Sequence, residues 1–171
     1  KGLTGGTLPM AATLTTEDIY QAFYADYELN RTFYHGHTFT GNPLAAAAAL
    51  GSLQVFAEEA PFALLADTVP HLQHTAQRFL ELPWVGDLRT LGTIAALELV
   101  KDKKTREPFS FAARIGWRIY LEGLEHGLIL RPLGNVVYLW LPICTTRQQI
   151  DIICERMWQV LSKRDLFESA G

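Results

Sequence analysis

Residues 35–43, HGHTFTGNP, are the stretch of the sequence whose residue types most clearly indicate chemistry. Its histidines and threonines supply hydrogen-bond donors, and its two glycines let the backbone turn sharply or approach a ligand closely. Asn42 is a good N-cap and Pro43 suits the first helical position, so the stretch leads into a helix. A loop that feeds a helix in this way can hold an anion. A polar loop that only caps the helix would show the same local features.

Arg131 is a second residue whose setting indicates a binding role. It follows the apolar residues 128–130 and precedes Pro132, which restrains the backbone of the residue before it. A guanidinium group can donate two parallel hydrogen bonds to a carboxylate, which the ammonium group of lysine cannot match. A surface arginine or a structural ion pair is the alternative interpretation.

The cysteines and the remaining histidines do not form a metal or redox motif. Cys144 and Cys154 lack the spacing of either kind of site, and Cys154 lies in an apolar helical pattern where it would act as a small hydrophobe. His71 and His74 are three residues apart on a predicted helix, but no third ligand is evident. We therefore expect two solvated histidines and no metal site.

Composition narrows the class of protein. The chain has 171 residues, of which 49% are hydrophobic and 19% charged, as in a folded globular protein rather than a disordered one. A net charge of -3 gives no electrostatic reason to bind nucleic acid or an anionic membrane. No apolar run is long enough to span a bilayer, and no stretch resembles a signal peptide. We expect a cytoplasmic protein with neither nucleic acid nor membrane as a partner.

The hydrophobic pattern predicts the elements that position the candidate residues. Residues 8–14 are apolar and small, which predicts a short buried strand, and a capping box at 15–18 predicts a helix to about Phe23. Residues 24–31 should form a surface loop. Residues 43 to about 59 should form the longest helix, whose alanine run at 45–49 offers a slim surface for close packing.

The pattern after residue 60 predicts a small domain of two layers, either α/β or α+β. A helix over 62–80, made irregular by Pro70, is followed by strands over 85–91 and 93–100 that are separated at Gly92. A second helix covers 110–126, with Ile115, Ile119, Leu121 and Leu124 inward. Short strands over 128–130 and 135–141 follow, and a last helix runs from a capping box at Thr145 and Gln148 to about Ser162. We expect the last residues to be frayed.

Three segments of the chain resemble the class III aminotransferases, which use pyridoxal phosphate. Residues 35–53, HGHTFTGNPLAAAAALGSL, match the family pattern H-G-x-T-[FY]-x-G-N-P-L-A, and residues 1–16 and 131–142, KGLTGGTLPMAATLTT and RPLGNVVYLWLP, match in the family's order. The resemblance implies an α/β chain, the C-terminal part of a fold type I subunit. Residues 1–60 would end the large cofactor-binding domain, and residues 61–171 would form the small C-terminal domain. Because Lys1 falls inside a family motif, we expect the chain to be a C-terminal fragment.

The resemblance also implies roles for individual residues. Lys1 would hold pyridoxal 5'-phosphate through its side-chain amine and move protons during catalysis. Thr38 would bind the cofactor phosphate through its hydroxyl and amide, and His37, where some relatives carry proline, would contact it through its backbone. Gly36 would lie beside the substrate, because a side chain there would block approach. Arg131 would bind the substrate carboxylate.

In the family the phosphate bound by Thr38 belongs to the partner subunit, so the resemblance implies a homodimer with a shared active site. It further implies transamination in biotin biosynthesis, from S-adenosylmethionine to 8-amino-7-oxononanoate. The family's aspartate that pairs with the cofactor's ring nitrogen has no counterpart here, so we expect the chain alone not to be an enzyme. The alternatives are another class III aminotransferase acting on an ω-amino acid, and a non-catalytic dimerising domain.

Overall fold

The computed structural model describes residues 1–168 and divides the chain into two compact units, the first over Lys1–Ala60 and the second from Pro61 onward. Helix α1 (Glu17–Phe23) and helix α2 (Pro43–Glu59) belong to the first unit. None of the helices within residues 1–168 is long and apolar enough to cross a membrane.

Helix α2 organises the first unit. The Asn42 side chain accepts hydrogen bonds from the amides of Leu44 and Ala45, at 2.9 and 3.3 Å, which confirms the predicted N-cap. Ala45 and Ala49 are buried on one face of the helix, and the 3₁₀ turn Gly2–Thr4 packs against α2. The alanine run therefore gives the slim packing surface that was predicted, with the turn next to Lys1 as its neighbour.

Two predictions for the first unit were wrong. Residues 8–14 form no strand: all are exposed except the half-buried Met10, and no segment among the described residues pairs with them. An apolar run becomes a strand only when a neighbouring backbone accepts its hydrogen bonds, and Pro9 has no amide to donate. Helix α1 forms as predicted, but its N-cap Thr16 makes no side-chain capping hydrogen bond.

The second unit contains an antiparallel sheet. Strands β1 (Val85–Leu91) and β2 (Ile94–Asp102) form a hairpin, joined at Gly92, whose φ of 53° suits the tight turn. The short strand β3 (Glu107–Pro108) pairs with the end of β2, and β4 (Val136–Trp140) pairs with β2 along its other edge. The predicted strand pair and the predicted strand over 135–141 are confirmed.

Helices α3 (Pro61–Ala76), α4 (Ile115–Glu125) and α5 (Arg147–Leu161) pack with one face of this sheet in a single core. Alternation along β4 shows which face is covered: Val137 and Leu139 are buried, whereas Trp140 is exposed. The largest fully buried core side chains are Phe79, Leu72, Leu97, Leu99, Ile115, Ile119, Met157 and Leu161.

Several boundaries in the second unit differ from the prediction. Helix α3 runs through Pro70 without a break and ends in a 3₁₀ turn, Gln77–Glu81. Helix α4 begins only at Ile115, because Arg114 before it has a φ of 48°. Ile115 and Ile119 point inward as predicted, but Leu121 and Leu124 are 47% and 42% exposed.

The predictions nearest the C-terminus also need correction. Residues 128–130 are not a strand, although Leu128 and Leu130 are buried. The capping box of α5 lies one residue later than predicted, at Thr146 and Gln149. A further helix, α6 (Asp165–Glu168), follows where fraying was expected, and its Phe167 ring stacks on Trp84 with centroids 4.2 Å apart. Residues 169–171 lie outside the described residues.

Candidate active site

Lys1 lies at the start of a tight loop in the first unit. Its carbonyl oxygen accepts a hydrogen bond from the Gly6 amide at 2.9 Å. The buried hydroxyl of Thr4 donates to the carbonyl of Leu8, which closes the loop from inside. The Lys1 side chain runs beside Gly6, since a Cβ built on Gly6 would lie 3.6 Å from Lys1 Cε. The exposed Lys1 is one of the residues that line an open cavity of about 670 Å³.

Thr38 keeps both of its donors available. Within residues 1–168, no hydrogen bond uses its amide or its hydroxyl. His37 differs, because its amide donates to the hydroxyl of Thr40 at 3.2 Å and its carbonyl accepts from the Thr40 amide at 3.0 Å. The His37 ring meets the His35 ring edge-on, with centroids 5.0 Å apart. The loop therefore turns on its own hydrogen bonds at His37 and presents Thr38 without a partner.

Residues 8–11 lie between the Lys1 loop and the loop before α2 in space, because they line cavities at both. They line the cavity beside Lys1, and they also line a second cavity, of about 430 Å³, together with His37 and residues 39–42. Thr38 instead lines a shallow depression of about 400 Å³ with residues 39–44. Lys1 and His37 thus line neighbouring cavities that share residues 8–11, and the depression lined by Thr38 shares residues 39–42 with the cavity of His37.

Among the described residues, the surroundings of Gly36 are open. A Cβ built on it would meet no atom within 4 Å, and its φ lies outside the left-handed region. Neither packing nor backbone strain in the described residues therefore excludes a side chain at this position.

Arg131 belongs to the second unit and is exposed. Among the described residues its guanidinium group has no hydrogen-bond or ion-pair partner, so the interpretation as a structural ion pair finds no support. The loop that follows it is ordered: the amides and carbonyls of Leu133 and Val136 exchange two hydrogen bonds, of 2.8 and 2.9 Å.

Two residues beside this loop were missed by sequence reasoning. Gly116 of α4 is buried against Pro132 and Gly134, and the side chain of Asn135 donates to the carbonyl of Phe109 at 2.8 Å. A glycine inside an amphipathic helix was the available signal, because such a residue weakens the helix and usually has a packing reason.

The other candidates belong to helices α3 and α5 of the second unit. Burial raises the pKa of the Cys154 thiol to about 11, consistent with the predicted role of a small hydrophobe. His71, predicted to be solvated, instead pairs with Asp151 of α5, with 2.6 Å between Nε2 and Oδ1. No group of three or more potential metal ligands occurs among the described residues.

The donor set of the first unit fits a phosphorylated aldehyde. Lys1 offers a primary amine beside an open cavity, and Thr38 offers an amide and a hydroxyl free to donate to phosphate oxygens. His37 fits less well than predicted, because Thr40 already accepts its amide hydrogen.

Comparison with known proteins places this geometry in context. The family model described as Aminotransferase class-III matches residues 1–161. The chain is 46% identical, over 155 residues, to the adenosylmethionine-8-amino-7-oxononanoate aminotransferase of Geobacter sulfurreducens; this match covers 91% of this chain and 34% of the relative. The chain therefore spans about a third of the length of the curated relatives it matches.

Solved structures of aminotransferases are also similar to this chain. The crystal structure of adenosylmethionine-8-amino-7-oxononanoate aminotransferase from Methanocaldococcus jannaschii is similar, with a TM-score of 0.87 and 38% identity, covering 94% of this chain and 37% of that one. The PMP-bound aminotransferase from Vibrio fluvialis is similar with a TM-score of 0.87 and 30% identity, covering 100% of this chain and 37% of that one. The predicted fold class, a part of a pyridoxal-phosphate transferase subunit, is confirmed.

Proposed function

The chain belongs to the class III aminotransferases, and from that membership we propose that it forms the C-terminal third of a subunit that uses pyridoxal 5'-phosphate in biotin biosynthesis. The reaction moves the amino group of S-adenosylmethionine to 8-amino-7-oxononanoate and yields 7,8-diaminononanoate. The observation that carries the proposal is the 46% identity, over 155 residues, to a relative named for these two compounds. In this proposal, residues 1–60 end the large domain and residues 61–171 form the small one.

Lys1 is the proposed catalytic residue. When bound, pyridoxal phosphate supplies an electrophilic carbonyl and an electron sink. The Lys1 side-chain amine Nζ would hold the cofactor; once the amine of the substrate displaces it, the freed Nζ would take a proton from the substrate carbon and return one. The open cavity beside Lys1 supports this role, because it leaves room for a ligand next to the amine.

Thr38 is proposed to bind the cofactor phosphate of the partner subunit in a homodimer. Its unpartnered amide and hydroxyl can both donate to phosphate oxygens. Lys1 and Thr38 line different cavities of the first unit, as this proposal expects. His37 is proposed to contribute only through its position next to Thr38.

Gly36 and Arg131 are proposed to receive the substrate. The open space around Gly36 supports a requirement for glycine that comes from a ligand rather than from the chain's own packing. Arg131 donates two parallel hydrogen bonds to the carboxylate of the keto acid, and its lack of a partner among the described residues leaves both donors available.

The experiment that tests this function uses the complete subunit. We expect 7,8-diaminononanoate, detected by mass spectrometry, with S-adenosylmethionine as donor and little with ω-amines such as putrescine. The Arg131→Ala variant should lose roughly a hundredfold in kcat/KM for the keto acid while its affinity for pyridoxal phosphate stays unchanged. The Arg131→Lys variant keeps the charge but not the paired donors, so its kcat/KM for the keto acid should lie between that of the original protein and that of Arg131→Ala.

The outcomes separate the alternatives. Efficient transfer from ω-amines and none from S-adenosylmethionine would identify an ω-amino acid aminotransferase. A complete subunit that dimerises but transfers no amine from any donor would favour a non-catalytic role. An unchanged kcat/KM for the keto acid in Arg131→Ala would remove that residue from the site.

A further inference from the structure

The loop that carries Arg131 is fixed on its sheet side by hydrogen bonds. Leu133 and Val136 close a tight turn, and the Asn135 carbonyl accepts from the amide of Leu99, in β2, at 2.8 Å. The Asn135 side chain donates to the carbonyl of Phe109 at 2.8 Å. Asn135 therefore joins the loop both to the central strand and to the segment that follows β3.

Helix α4 fixes the same loop from the other side. A Cβ built on Gly116 would lie 2.4 Å from the carbonyl oxygen of Gly134 and 2.7 Å from Pro132 Cβ. These distances are shorter than real Cβ contacts, and one of the atoms met belongs to the backbone, which cannot rotate away. The absence of a side chain at Gly116 thus lets α4 press directly on the two residues that bracket Leu133.

Pro132 transmits this contact to Arg131. The proline ring fixes its own φ and confines the residue before it to extended conformations. Leu130, on the other side of Arg131, is 5% exposed and so is held in the core. Arg131 therefore has an exposed side chain on a backbone that is held on both sides.

We propose that Gly116 and Asn135 are positioning residues for Arg131, which set where its guanidinium group meets a substrate carboxylate. This inference rests on the proposed function of Arg131. A misplacement of about 1 Å by a remote change can cost an enzyme roughly a hundredfold in rate, so a shift of the 132–134 backbone should be measurable.

The chain offers a matched control on the same helix. Gly123 lies seven residues after Gly116, and both are buried. A Cβ at Gly123 would also press on a residue that flanks Arg131, but only on the end of the Leu130 side chain, at 3.1 Å from Cδ1, and on the Leu128 carbonyl at 3.2 Å, distances that a few tenths of an ångström relieve. Both Gly→Ala changes add one methyl group to the same helix, so the general effect of alanine on helix formation is similar in the two variants.

The experiment compares 8-amino-7-oxononanoate with its methyl ester in the complete subunit loaded with cofactor. The measured quantities are the acid-to-ester ratio of kcat/KM and the dissociation constants of both compounds by calorimetry. We expect Gly116→Ala to lower both the ratio and the acid's affinity by roughly 10- to 100-fold, and Gly123→Ala to change them less than about threefold. In an Arg131→Ala background, Gly116→Ala should lower the ratio no further.

Equal losses for acid and ester in Gly116→Ala would show a merely structural role and overturn the inference. If that variant does not fold, Asn135→Ala decides instead, because it loosens the loop without overpacking: a lowered ratio supports the inference, and an unchanged ratio overturns it. If Arg131→Ala itself leaves the ratio unchanged, the proposed carboxylate site fails and this inference with it. If only the Gly116 and Asn135 variants leave it unchanged, this inference alone fails.

Discussion

Replacement of Thr38 by valine tests the cofactor site with the least disturbance of the chain. Valine keeps the shape of threonine and removes one hydroxyl group, which has no partner within residues 1–168. The folded chain therefore loses no internal hydrogen bond, and its free energy of unfolding should stay within about 0.5 kcal/mol of the original value. The bond to a charged phosphate should be lost, at about 1.5–3 kcal/mol.

Such a loss corresponds to a decrease in pyridoxal phosphate affinity of roughly 10- to 150-fold. Spectroscopic titration of the complete subunit with the cofactor measures it. Thr40→Val is the matched control, since the Thr40 hydroxyl accepts from the His37 amide at 3.2 Å and so serves the loop itself. We expect that control to cost at most about 1 kcal/mol in stability and to weaken cofactor binding less. An affinity in Thr38→Val within twofold of the original would refute the assignment.

The same variant tests whether Thr38 acts on the partner subunit. Mixing Thr38→Val subunits with Lys1→Ala subunits should give hybrid dimers in which one site holds both an intact lysine and an intact threonine. With random assortment about half of the dimers are hybrids, so about a quarter of the sites should be intact. Hybrids that form but recover no activity at low cofactor concentration would show that both residues serve one subunit's site.

Three further predictions concern single residues. Gly36→Ala should leave the urea unfolding midpoint unchanged, because the added Cβ meets no atom within 4 Å. It should reduce kcat/KM at least about tenfold, because the methyl group blocks the approach of the substrate. An undiminished kcat/KM would contradict this prediction. Phe167→Ala should cost about 3–5 kcal/mol in urea unfolding, because the ring is buried on Trp84; a loss below about 1 kcal/mol would show that α6 adds little to the core. Burial raises the pKa of the Cys154 thiol to about 11, so this thiol stays protonated until the pH approaches that value. Iodoacetamide at pH 8 should therefore label the exposed Cys144 and spare Cys154 until denaturant is added. Equal labelling rates of the two cysteines in the folded protein would refute this prediction.

The elements that sequence predicted well are those set by local pattern. The run of alanines after Asn42 and Pro43 specifies α2, and glycine at the turn specifies the β1–β2 hairpin. In β4 buried and partly exposed residues alternate, as expected for a strand with one covered face. Each of these depends on neighbours within a few residues, which the sequence displays directly.

The failures depend on partners that a local pattern does not contain. Residues 8–14 are apolar, but no backbone among the described residues pairs with them. In the sequence TTRQQ either threonine could open a capping box, and Thr145 is excluded because its hydroxyl instead donates to the carbonyl of Pro142 at 2.7 Å. The candidate site also combines local and long-range features. Sequence motifs indicated Lys1, Thr38 and Arg131. The contact of Gly116 with residues 132–134 joins parts of the chain that only the fold brings together, so the sequence did not indicate it.

Helix α2 has a mechanical consequence in the proposed dimer. Its first turn carries the loop of Thr38, and its alanine face supports the turn beside Lys1. The two attachments are separated by no more than about 10–15 Å along a stiff rod with a rise of about 1.5 Å per residue. If, as proposed, Lys1 serves its own subunit and Thr38 serves the partner, this helix carries residues of two different active sites on one rigid element.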